Sequence, residues 1–291
     1  MDRFIALVAA GVAQGSIAAL IALGIVLLHK ATGVVNFAQG DLLTLGAYLA
    51  VFFITDHGMN TLLGYALTLI IAFMVGVGIE RIGYAPLRKQ SLLAVVISTF
   101  ALALGLRSLL ILWFGTDLRT LPPPLGTKVL HIGGAAIPYQ TILIAVVMLV
   151  LFVALELLLH RTSIGRQVRA LAADRETALL QGIRVNRLSI LMFGLSASLA
   201  ALGGLLVVPI IPASPELGFT LLLASFAAVV LGGFDNVGGT VLAALAVAIT
   251  QQLLTGYVNH DYSEAYPYII LLVVLILRPA GLIRQSTSVR Y

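Results

Sequence analysis

Apolar runs of 17 to 25 residues recur from one end of the chain to the other, broken only by short polar intervals. A helix needs about 20 such residues to cross roughly 30 Å of hydrocarbon, so each run is read as a membrane span. The pattern predicts spans near Phe4 to Leu28, Asp41 to Thr55, Thr61 to Gly83, Leu92 to Phe114, Tyr139 to Leu159, Ser189 to Pro212, Phe219 to Gly232, Gly239 to Gly256 and Tyr266 to Leu282. That makes eight or nine hydrophobic segments, two of them short. A helix from Asp41 to Thr55 covers only about 22 Å, and the Phe219 run is no longer. Segments of that length are expected to be broken or re-entrant, with protein or a water-filled cavity satisfying their backbone at depth. The predicted fold class is an all-α, polytopic helical bundle forming one domain, residues 1–291. The longest polar interval, 160–188, is too short to be a soluble domain. The N-terminus carries no net charge and apolar sequence continues to Leu28, which reads as a first span rather than a cleaved leader.

Composition agrees. Hydrophobic residues make up 60% of the chain, charged residues 10%, and mean hydropathy is +1.08. Those values exclude a soluble domain of this length and imply a lipid bilayer around it. The net charge of +5 sits between the apolar runs, without an aromatic-interleaved patch, so it points to topology and away from a nucleic-acid partner. Cysteine is absent, which removes disulfides, cysteine-ligated zinc and thiol chemistry.

Charge then orients the bundle. Lys and Arg are retained on the cytoplasmic side. Twelve fall on the side of the 160–188 loop: Arg81, Arg88, Lys89, six arginines from Arg161 to Arg187, and Arg278, Arg284 and Arg290 in the tail. Two, Arg119 and Lys128, fall opposite, with the aromatic residues Trp113, Tyr139, Tyr257, Tyr262, Tyr266 and Tyr268. The loop and the C-terminus are therefore expected in the cytoplasm. Nine full spans would place the N-terminus outside and eight would place it inside. Gly11 and Gly15, and the Gly-Gly pairs beginning at 203, 232 and 238, read as points of close helix packing.

The chain has no GxxxxGK[ST] loop, no HExxH, no metal-spaced histidine pair and no nucleophile elbow, so no catalytic or metal-ligating residue is assigned. No cofactor is expected in this chain; a nucleotide that energises transport must sit on another. Arg107 lies mid-span, where a charge costs about 2.5 to 3.5 kcal/mol. It needs a partner or water, as half of a structural pair or as part of a translocation path. Asn36, Gln39 and Asp41, ahead of the short second segment, are either an Asx cap or pore lining. With Ser98 and Thr99 they complete the candidate path.

The basic loop divides further. Ile164 to Ala172 looks like a continuation of the preceding span. Asp174 is placed as an N-cap, Glu176 in the first turn, and Gly182 as a left-handed C-cap, so Arg175 to Gln181 is a two-turn helix carrying Ala178, Leu179 and Leu180. Orientation and contact with anionic lipid would require only scattered Lys and Arg. A capped helix with apolar residues suits insertion into a groove on a partner.

Several blocks carry a family resemblance. GVVNFAQGDLLTLGAY, IERIGYAPLRKQSLLAVVISTFALALGLRSL, RALAADRETALLQGI, LGGFDNVGG and LRPAGLI, in order through almost the whole chain, resemble the LivH-type permeases of bacterial ABC importers for branched-chain amino acids. The resemblance implies a heteromeric importer in the bacterial inner membrane. Its partners would be a second homologous permease, two cytosolic ATPases holding ATP and magnesium, and an extracytoplasmic binding protein delivering an amino-acid-like solute. It also implies that Arg175 to Gln181 and Gly182 form the coupling helix, with Ala178 and Gly182 matching the Ala-to-Gly core of the permease motif. Family members often carry an uncharged amide where Arg107 stands, which leaves urea and short amides as alternative solutes. Two other classes compete. A stand-alone secondary transporter would need buried acids, of which the chain offers few, and a membrane enzyme would need a catalytic cluster at depth.

Overall fold

The structure, a computed structural model, describes residues 2–132 and 135–277. The tail arginines Arg278, Arg284 and Arg290, counted above toward orientation, lie outside the described residues.

Six helices are long and apolar enough to cross a bilayer. They include α1 (Asp2–Thr32), α4 (Leu92–Phe114), α5 (Tyr139–Arg161), α8 (Val185–Val207) and α10 (Val237–Tyr257), and α3 (Thr61–Ile79) extended to Tyr84 by a π-helical turn. Three more apolar helices are shorter: α2 (Gln39–Val51), which runs on as a π-helical turn to Asp56, α9 (Leu217–Gly232) and α11 (Tyr266–Leu277). The two short predicted segments are helices unbroken within their bounds, α2 running on directly into its π-helical turn. The 115–138 loop adds an antiparallel hairpin, β1 (Val129–Ile132) with β2 (Ala135–Pro138), which the sequence reading did not anticipate.

Local chemistry sets the helix ends. Asn60, Ser91, Thr162 and Asn236 each accept a hydrogen bond from a first-turn amide of α3, α4, α6 (Ser163–Ala173) and α10. The expectation that Ile164 to Ala172 continues the preceding span is corrected by one of these caps. Thr162 adopts an extended conformation, its hydroxyl bonds to the Leu158 carbonyl, and it accepts from Gly165 N at 3.1 Å. The chain turns there, and α6 lies back against α5, with Arg169 donating to the Leu159 carbonyl.

α1 is the central rod: 89% of its apolar window is buried, against 28, 22 and 22% for α3, α4 and α5, whose outer faces remain apolar and uncovered. Gly11 and Gly15 allow α10 to cross α1 closely; a Cβ at either would lie 2.7 Å from Ile249 Cα or 2.9 Å from Leu245 Cα. α1 and α10 are antiparallel, because Arg3 donates to the Gly256 carbonyl while His29 lies 3.9 Å from Asp235. The C-terminus of α1 borders the end of α6, so α1 begins at the end of the bundle opposite α7 (Arg175–Leu180). Among the described residues six helices are long enough to cross and three apolar helices are shorter, so the count of eight or nine hydrophobic segments holds only approximately.

Candidate functional site

The candidate residues fall in two regions: the bundle centre, where the short helices begin, and the α7 end.

At the centre, every residue of α2 is buried, including Gln39 and Asp41. Asn36 Oδ1 accepts from Ala38 N at 3.0 Å, an Asx-type turn that delivers the chain into the helix. Phe37 N donates to Thr99 Oγ1 at 3.4 Å, tying this turn to α4. Gln39 Nε2 donates to the Ser196 carbonyl at 2.9 Å, while Ser196 Oγ lies 3.0 Å from Gln39 Oε1 and 2.9 Å from the Gly24 carbonyl. Glycine at 24 makes room for this, since a Cβ would sit 2.2 Å from Gln39 Nε2. Ser196 lies midway along α8, so the N-terminus of α2 is anchored at mid-depth.

Arg107 finds its partner here. Its Nε donates to Asp41 Oδ1 at 2.8 Å and a terminal nitrogen approaches Oδ2 at 3.4 Å. Its guanidinium also lies over the Phe219 ring, 5.2 Å from the centroid. The Asp41 side chain is 3% exposed and that of Arg107 20%. Phe219 belongs to the first turn of α9, whose start meets that of α2 backbone to backbone. A Cβ on Gly218 would lie 1.9 Å from the Gly40 carbonyl oxygen, and Gly218 N donates to Thr44 Oγ1 at 3.0 Å. Two helix N-termini, each equivalent to about half a positive charge, therefore converge with one carboxylate and one guanidinium.

Of the six path candidates, the structure brings together Asn36, Gln39, Asp41, Thr99 and Arg107. Ser98 is elsewhere: its hydroxyl donates to the Gly83 carbonyl at 3.2 Å, against the π-helical turn of α3. The sequence reading missed Ser196, Gly218 and Phe219. The brevity of the Phe219 segment was the one signal available for the last two.

At the other region, both caps of α7 form. Asp174 Oδ1 accepts from Thr177 N at 3.3 Å and Oδ2 from Thr177 Oγ1 at 2.6 Å. Gly182 has φ +80°, with Gly182 N donating to Leu179 O and Ile183 N to Ala178 O, the paired bonds of a Schellman motif. Glu176 falls in the first turn and Gln181 just past the last helical residue. Ala178 is 2% exposed and holds the helix down, whereas Leu179 is 52% and Leu180 89% exposed. A rigid two-turn helix that faces two leucines outward is built for contact.

Residues 7–277 match the family described as the permease component of branched-chain amino acid transport systems. The chain is 29% identical to the high-affinity branched-chain amino acid transport permease BraD of Pseudomonas aeruginosa, over 94% of this chain and 93% of the relative. Identity to LivH of Escherichia coli is likewise 29% over the same shares, and to a probable LivH of Methanocaldococcus jannaschii 26% over 90% and 87%. No solved structure matches the chain.

Proposed function

Since the chain belongs to the family of permease components of branched-chain amino acid transport systems, we propose that it is the membrane permease of an ABC importer for branched-chain or other hydrophobic amino acids. It performs no covalent chemistry. ATP and magnesium belong to two cytosolic ATPases, a second homologous permease completes the membrane part, and an extracytoplasmic protein delivers the solute. The assembly sits in the bacterial inner membrane with α7 and the C-terminus in the cytoplasm, the side of the arginine-rich loop.

The observation that carries this reading is α7: capped at both ends, with Leu179 and Leu180 exposed. A groove on one of the two ATPases takes those leucines. Closure of the ATPases on ATP pushes α7, which passes through Ile183 directly into α8. Ser196 on α8 holds Gln39 at the start of α2, and α2 abuts α9 at Gly40 and Gly218. Rigid movement of α8 thereby shifts the junction of the two short helices, around which the path opens alternately to either side. Asn36, Gln39, Asp41, Thr99 and Arg107 border that junction; Ser98 stands behind it, on the α3 side.

Reconstitution with the partner chains tests the assignment. Solute-stimulated ATP hydrolysis and uptake are measured across branched-chain, aromatic and acidic amino acids, urea and short amides. Leu179→Asp with Leu180→Asp, or Arg175→Glu with Leu179→Asp, is expected to abolish uptake while the chain still inserts. Unchanged uptake rejects α7 as the coupling element, and stimulation only by urea or amides moves the solute class.

A further inference from the structure

Across the first turn of α9 from Arg107, the end of the bundle opposite α7 opens into a cleft of about 470 Å³ between α1, α9, α10 and the 258–265 loop. That volume lies in the range of small-molecule sites. Gln14, Gln251, Gln252 and Thr255 line its deeper part, and the exposed Glu216 and Glu264 stand at its rim. Amide side chains at this depth are costly unless partnered. Here they partner one another: Gln14 Nε2 donates to Gln251 Oε1 at 3.2 Å, Gln252 Nε2 donates to Gln14 Oε1, and Gln251 Nε2 donates to the Ser263 carbonyl at 2.8 Å.

Polar residues can simply fasten two helices, yet that role is already filled. Gly11 and Gly15 bring α1 and α10 to van der Waals contact without any amide. The glutamines instead border open volume, and the Thr255 hydroxyl is buried with no hydrogen-bond partner. The lining also has a sign. Among the described residues that line it are two carboxylates, one histidine, His260, and no lysine or arginine, with Arg3 held on the Gly256 carbonyl beside Thr255.

We propose that this cleft is a holding site for a small solute bearing an ammonium group, drawn to Glu216 and Glu264, with its remaining polar atoms on the glutamine and Thr255 floor. The site rests on the permease reading and specifies where an arriving solute waits. The first turn of α9 carries Thr220 in the lining of the cleft and Phe219 against the Arg107 guanidinium. Occupancy therefore bears on the same short helix whose start meets α2. An ethanolamine lipid headgroup presents the same ammonium, so the test separates the two sources.

The chain lacks cysteine, so Thr220→Cys, on the exposed α9 face of the cleft, is a unique label in it; Ser214→Cys, also in the lining, replaces it if the first variant does not assemble. Thr116→Cys, in the exposed 115–128 loop, is the control. The assembled transporter is placed in bilayers of phosphatidylglycerol alone and treated with a membrane-impermeant maleimide. Leucine and leucinamide are expected to slow labelling at position 220 about fivefold or more at saturation, and 4-methylpentanoate, which lacks the ammonium, to leave it unchanged. The control is indifferent to all three, and Glu216→Gln with Glu264→Gln removes the protection. If protection appears only when phosphatidylethanolamine is added, the ammonium site stands and its occupant is lipid. Equal protection by 4-methylpentanoate, or none in either bilayer, overturns the proposal. Uptake measured in the same preparations keeps the two readings apart. Uptake without protection rejects the cleft alone, and protection without ATP-driven uptake rejects the permease reading while leaving the cleft.

Discussion

The Asp41–Arg107 pair offers the sharpest quantitative test of how the centre is held. Removing one partner of a buried ion pair costs about 3 to 5 kcal/mol, because the survivor is left charged and unpaired. The two halves are unequal here. Asp41 is 3% exposed and cannot reach water, so Arg107→Met should carry the full penalty. Arg107 is 20% exposed and keeps the Phe219 ring, so Asp41→Leu should cost less, about 2 to 3 kcal/mol. The double variant, with both groups apolar, should return to within about 1 kcal/mol of the parent. At roughly 2 °C per kcal/mol for a chain of this size, thermal denaturation of the assembled transporter should show a fall of about 6 to 10 °C for Arg107→Met, a smaller fall for Asp41→Leu, and near recovery for the pair. Exchanging the charges should not rescue stability, because a guanidinium at position 41 would face the positive start of α2. Single costs that add up to the double, with a coupling below about 0.5 kcal/mol, would refute the reasoning.

Three further outcomes follow from other contacts. Gly218→Ala drives a methyl toward the Gly40 carbonyl, whereas Gly105→Ala meets nothing within 4 Å; yield of folded protein by size exclusion should collapse for the first and hold for the second. Ser196→Ala leaves Gln39 Oε1 without its hydroxyl partner and should lower stability by about 1 to 3 kcal/mol, read as a fall in the thermal midpoint. Gly182→Ala strains a residue at φ +80° by roughly 1 to 2 kcal/mol; the ATP hydrolysed per solute imported should rise, and the midpoint should fall by only about 2 to 4 °C.

The architecture was legible because hydrocarbon imposes a length on every span. Leu92 to Phe114 was placed to the residue, since Ser91 caps one end and Gly115 the other with φ +77°. The α7 helix was equally readable because its caps, Asp174 and Gly182, are local in sequence. Elements governed by distant contacts were not. α8 starts at Val185, four residues before the apolar run, and ends at Val207, where the chain turns back toward α9. Arg107 and Asp41 were each singled out, but their pairing spans 66 positions and has no local signature. The glutamines at 14, 251 and 252 were visible as amides in apolar runs, and only the crossing at Gly11 and Gly15 shows that they meet.

The meeting of α2 and α9 has an electrostatic consequence. Two helix starts of about +0.5 each, one aspartate and one arginine leave the middle of the bundle with a field of about one positive charge. Such a field repels bare protons and hydrated metal cations, as half-helix ends do in water channels, but exerts no net force on a neutral or zwitterionic solute. If the proposed path runs past this junction, the packing that brings Gly40 against Gly218 also raises a barrier to cation leakage along it.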